Sequence, residues 1–135
     1  DRGFKKGERK RLSDSMRGLA LSVGSALSMH PIIRIHGGEE NPAAVHRSYG
    51  KSVRRLFEHV AERIRGGHLI SRHVCLSYAG DISRVTAMPG YAELKVAAEE
   101  RGVRLLISTM SPTGAINVGA GCLFVAYASE NDQFE

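Results

Sequence analysis

Val74-Cys75-Leu76-Ser77-Tyr78 is a compact apolar run, followed by a helical stretch from about Pro89 to Arg101-Gly102 and then by Val103-Arg104-Leu105-Leu106-Ile107. Proline suits a first helical turn and glycine suits the stop position, so the middle piece predicts a helix. A strand, a helix and a strand at this spacing form a βαβ unit with a right-handed crossover. The first of these strands is apolar enough to be central in a sheet.

Outward from this unit, Ser48 is positioned to cap a helix whose apolar face is Tyr49, Val53, Leu56, Phe57, Val60 and Ile64. Arg54, Arg55, Glu58, Glu62 and Arg63 are expected to face water, and Gly66-Gly67 to end the helix. Upstream, Pro31 to Ile35 predicts a strand and Gly37-Gly38 a turn. Ala43 to Val45 predicts a short return strand, placed on an edge by Pro42. Leu12, Met16, Leu19, Ala20, Val23, Ala26 and Leu27 recur at helical spacing and predict a helix over about 13 to 28. Cys122 to Tyr127 predicts the last strand. The fold class is therefore α/β, with α+β open, built as a mixed β-sheet covered by helices on at least one face.

The chain has 135 residues, 42% hydrophobic and 24% charged, which fits one domain with a proper core. Residues 1–11 read as a basic lead-in, 12–129 as the domain and 130–135 as a polar tail. No apolar run approaches the roughly 18 residues of a membrane span, and the charged first residues are not those of an export signal. Cys75 and Cys122 sit in separate apolar runs, so free buried thiols and a cytoplasmic location are expected. The start at Asp1 leaves open an excised domain or a processed product.

The net charge of +5 is concentrated in Arg2, Lys5, Lys6, Arg9, Lys10 and Arg11. Such a run is either a solvated lead-in or an attractor for nucleic acid, an acidic partner or a phosphorylated ligand. A basic interaction or nucleic-acid-binding domain is thus the alternative reading, although no interleaved aromatics for base stacking are present. The six histidines show no metal-ligand spacing, and His36 with His46 across the hairpin would be only a surface pair. Without a glycine-framed serine or a paired base, catalysis is not expected.

Met110 to Gly121 reads as a glycine turn with Asn117 at its tip, running into the last strand. Asn117 either donates to an anion or caps the turn. The glycines do not form a dinucleotide loop, because a strand rather than a helix follows and no lysine is present. Backbone N–H groups of the turn can still cradle a carboxylate.

Gly24-Ser25-Ala26-Leu27-Ser28-Met29-His30-Pro31-Ile32-Ile33, Gly37-Gly38-Glu39, Arg47 ahead of a basic amphipathic helix, and Pro112-Thr113-Gly114-Ala115-Ile116-Asn117-Val118-Gly119-Ala120-Gly121 occur in an order that resembles the DegV family. The resemblance is to the C-terminal domain over nearly the full chain. It implies binding of a long-chain fatty acid between two domains, without a cofactor, by an acyl-carrying subunit that presents the carboxylate to a separate fatty acid kinase. Only the C-terminal half of such a pocket is expected here.

Transferred onto this sequence, the resemblance implies ligand contacts from Thr113, Gly114, Asn117 and Gly119. Arg11 is the first and Arg17 the second choice for the carboxylate arginine, and Leu19, Val23 and Leu27 line the acyl slot. Asn117 stands where the family usually has histidine. Arg47, Lys51, Arg54 and Arg55 form either a partner surface or a solvated helix face. A bare inter-domain face predicts self-association.

Overall fold

The computed structural model describes residues 29–130 and 132–134. The basic lead-in and the helix expected over 13 to 28 lie outside the described residues.

Strands β1 (His30–His36) and β2 (Glu39–His46) form an antiparallel hairpin. Its turn requires positive φ at Gly37 and Gly38, at +60° and +82°, which glycine adopts without a Cβ clash. The return strand is longer than the expected Ala43 to Val45. Pro42 is tolerated within it because it lies beside an irregularity in the pairing at Ile32 and Ile33, in a sheet that has two strands among the described residues.

Helix α1 (Tyr49–Arg65) follows, with Ser48 in the cap position. The Ser48 side chain makes no capping hydrogen bond; its carbonyl accepts from Ser52 N at 3.1 Å. Val53, Phe57, Val60 and Ile64 are buried as their spacing predicts, and Gly67 at φ +72° helps end the helix. Arg63 departs from the expected solvent-facing position. Its guanidinium donates to Ser129 Oγ at 2.7 Å and to the carbonyl of Glu130.

Strand β3 (Leu69–Tyr78) is central in a three-stranded mixed sheet of order β4-β3-β5. A short 3-10 turn (Ile82–Ala87), capped by Asp81 accepting from Ser83 N at 3.0 Å, leads towards helix α2 (Tyr91–Arg101). This helix begins two residues after Pro89 because Gly90 occupies its cap position at φ +88°. A Cβ on Gly90 would stand 3.2 Å from Phe57 Cβ, so the two helices approach closely there. Strand β4 (Arg104–Thr109) is parallel to β3, as the βαβ reading predicts. A third helix, α3 (Pro112–Val118), precedes β5 (Leu123–Ser129), which runs antiparallel to β3. The class is α/β, but the strands divide into a mixed sheet and a separate hairpin rather than joining in one sheet.

Alternation along β3 sorts its side chains. Val74, Leu76 and Tyr78 enter the core with Phe57, Ile64 and Leu94, while Leu105, Ile107, Val125 and Tyr127 pack against it. Each fully buried large side chain contributes about 1.5 to 3 kcal/mol of transfer free energy. Cys75 points the other way and is exposed, correcting the expectation of a buried thiol, and Cys122 is half-buried. On that opposite face Cys75 pairs in register with Leu106 and Ala126, and Ser77 with Phe124. Leu106 and Phe124 are exposed.

The described part of the expected polar tail is docked on the domain. Asp132 accepts from His59 Nε2 at 2.8 Å and from the Tyr127 hydroxyl at 2.5 Å, and Arg63 Nε lies 3.6 Å away. Phe134 lies against the His59 ring, with the Arg55 guanidinium 5.2 Å from its centroid.

Candidate functional site

The carboxyl end of the central strand is where open α/β sheets usually take ligands, and here it is tied to the glycine segment by the backbone. Tyr78 O accepts from Met110 N at 2.9 Å, Ala79 N donates to Cys122 O at 2.9 Å, and Gly121 N donates to Ala79 O at 2.8 Å. The segment from Met110 to Gly121 is not the continuous turn expected. Ser111 accepts from Gly114 N at 3.1 Å and Pro112 occupies the first turn, so a helix starts there despite Gly114. The true turn comes afterwards, at Gly119 and Gly121, with φ of +92° and +80°.

Asn117 therefore lies on α3 instead of at a turn tip, and it is exposed. Thr113 and Gly119 are also exposed and Gly114 is half-buried. Of the remaining expected ligand contacts, Arg11, Arg17, Leu19, Val23 and Leu27 lie outside the described residues. Arg47, Lys51 and Arg54 are exposed, whereas Arg55 is partly buried, 3.6 Å from Glu62.

Beside the glycine turn lie side chains that the sequence reading assigned to other roles. Tyr78 is 8% exposed and belongs to the core cluster. Tyr49, the first residue of α1, neighbours Tyr78 and Cys122 and meets the ring of His30 edge-on, with centroids 5.8 Å apart. Burial, then the nearby Tyr78 phenol and Cys122 thiol, push the Tyr49 hydroxyl up to about 12, so it stays protonated. Burial also raises the Cys122 thiol.

Tyr49 Oη is enclosed, with the Tyr78 side chain beside it. His46 Nε2 is enclosed as well and has no partner among the described residues. His46 stands opposite His30 at the open end of the hairpin, while His36 faces Glu39 at the other end, so the expected His36 and His46 pair does not form. Tyr49 fits the apolar spacing of α1, which is why periodicity alone reads it as core. Ser52, whose Oγ donates to His30 O at 2.6 Å, fixes the hairpin to the start of that helix.

A separate open groove of about 920 Å³ lies between the hairpin and the chain end, lined by Arg34, His36, Asn41, Ser129, Asp132 and Phe134 among others. It shares no lining residue with the glycine turn. Among the described residues no group of three His, Cys, Asp or Glu side chains is arranged to hold a metal ion. None of the described helices is long and apolar enough to cross a membrane.

The family model described as "Uncharacterised protein, DegV family" matches residues 12–130. The chain belongs to the DegV family. A DegV domain-containing protein of Xanthomonas campestris pv. campestris is 39% identical over 116 residues, covering 86% of this chain and 37% of that protein. One of Xanthomonas axonopodis pv. citri is 40% identical over 116 residues, again 86% of this chain and 37% of the relative. The chain thus spans little more than a third of the length of these curated relatives. No solved structure matches it. The matched family is not one described by a catalytic activity.

Proposed function

We propose that this DegV-family chain binds a fatty acid and forms the C-terminal part of an acyl carrier's pocket, presenting the carboxylate to a separate fatty acid kinase and catalysing nothing itself. The observation that carries this reading is the family membership across residues 12–130. The glycine turn supports it by its place at the carboxyl end of the central strand, the end at which open α/β sheets take ligands. An acyl tail gains about 0.8 kcal/mol for each methylene taken from water. Leu19, Val23 and Leu27 are the proposed apolar contacts, with Arg11, then Arg17, as the proposed cation for the head group.

The rest of the pocket belongs to an N-terminal domain in this proposal, in keeping with relatives more than twice as long. Exposed Arg47, Lys51 and Arg54 form a positive surface suited to an acidic kinase. The outer sheet face with Leu106 and Phe124 supports self-association where no second domain covers it. A cytoplasmic location follows from the carrier role, since acyl phosphate chemistry needs a cytoplasmic phosphoryl donor.

Native mass spectrometry of the purified protein, with and without an added N-terminal half, tests the reading. A bound acyl chain is expected, and titration with oleate should saturate. Absence of any acyl mass together with no oleate binding removes the carrier role.

A further inference from the structure

Arg34 and His36 stand two residues apart on β1 and so share one face of the hairpin, where Asn41, opposite Arg34 in the register, joins them. All three line the groove of about 920 Å³, whose other wall is the chain end with Asp132 and Gln133. Arg34, His36, Asn41 and Gln133 all offer donors: a guanidinium, an imidazole N–H and two primary amides. Asp132 does not neutralise them, because its two oxygens are taken by His59 and the Tyr127 hydroxyl, with Arg63 beside the first. Glu39, opposite His36 at the turn, does not line the groove. Arg34 is half-buried, and among the described residues its side chain has no hydrogen bond or ion pair. A guanidinium drawn partly out of water gives up hydration that an anion restores.

We propose that this groove binds a small organic phosphate, its phosphoryl group held by Arg34 and His36 and its remaining polar atoms by the amides of Asn41 and Gln133. A phosphoryl group carries up to two negative charges and three acceptor oxygens. It suits a guanidinium fork with further donors around it better than the two oxygens of a carboxylate do. The groove volume falls within the range of small-molecule sites and exceeds what inorganic phosphate alone fills. The site is independent of the fatty-acid pocket: the groove meets the far end of β5 at Ser129, whereas the glycine turn precedes the start of that strand.

Nuclear magnetic resonance titration of the isotope-labelled full chain tests this with AMP and glycerol phosphate as probes, against adenosine, glycerol, inorganic phosphate and succinate. At least one ester should shift the amide signals of Arg34, His36 and Asn41, while its phosphate-free counterpart does not. Inorganic phosphate and succinate should bind more weakly than that ester. Arg34→Gln should lower the ester affinity by roughly tenfold or more, the worth of a charge-assisted hydrogen bond. His36→Gln, at an exposed position whose change does not threaten folding, should lower it by roughly threefold to tenfold. Both variants should bind oleate as wild type does. No shift at these residues with either ester overturns the proposal, as does ester affinity unchanged in both variants. Succinate binding as tightly as the ester overturns the phosphate assignment, and inorganic phosphate doing so overturns the organic ligand. None of these results touches the fatty-acid reading, which the oleate titration decides separately.

Discussion

His59 Nε2 donates to Asp132 Oδ1 across 2.8 Å, joining the middle of helix α1 to the end of the chain, 73 residues later. Both oxygens of Asp132 are used, the second by the Tyr127 hydroxyl. His59 is almost fully buried, so its ring depends on this carboxylate for a partner. Replacing Asp132 by alanine should therefore cost about 1 to 3 kcal/mol in denaturant unfolding, the penalty for leaving a buried polar group unpaired.

The same contact sets an acid limit. Burial alone would raise the Asp132 carboxyl; the bonds from Tyr127 and His59, with the charges of His59 and Arg63, outweigh it and hold the group below its usual value. A carboxylate depressed in the folded state contributes stability above its unfolded value of about 3.9 and loses it as pH falls through the folded value. The stability gap between wild type and Asp132→Asn should shrink as pH drops below about 4, measured by thermal melts across pH.

Phe57 is 0% exposed and sits where α1 meets α2. Phe57→Ala should cost about 3 to 5 kcal/mol through the lost transfer energy and the cavity left behind. Gly90→Ala acts on the same contact from the other side, combining a φ of +88° with a Cβ 3.2 Å from Phe57 Cβ. It should cost about 1 to 3 kcal/mol, a typical penalty for a residue held in an unfavourable backbone region. Urea unfolding of both variants checks the pair.

The two thiols should react at different rates. Cys75 is exposed on the outer face of β3, whereas burial raises the Cys122 thiol and reduces its thiolate fraction at neutral pH. A thiol reagent added at a protein concentration where the chain is monomeric, followed by peptide mapping, should label Cys75 first, with Cys122 modified slowly until the protein is unfolded.

Asn117→Ala should leave stability within about 0.5 kcal/mol, as for exposed positions without special geometry. Thermal denaturation measures this directly. A larger loss would mean that the amide is bonded in the folded protein.

Much of the fold is legible from local chemistry. Val74 to Tyr78, Val103 to Ile107 and the apolar spacing of α1 announce their elements, because a strand or helix with one buried face must repeat apolar residues at its own period. Gly37-Gly38, Gly67 and Gly102 mark ends for the same kind of reason, a local backbone requirement. The resemblance to the DegV family also rests on residues read in order along the chain, and the family match covers 12–130.

Long-range geometry is written in no single segment. Ser111-Pro112 and Gly114 send opposing helix signals, and the backbone bonds that fasten Met110 to Tyr78 and Gly121 to Ala79 accompany the outcome, a short helix before the turn. Whether Tyr49 is a plain core residue depends on what surrounds its hydroxyl, and those neighbours come from β1, β3 and Cys122. Asp132 looks like tail charge until His59, Arg63 and Tyr127 are brought to it. The amino-acid sequence by itself determined the family, the α/β class and most element ends, since these depend on neighbours along the chain. Only the tertiary structure decided which polar atoms have partners, because hydrogen bonding depends on groups that the chain brings together from far apart.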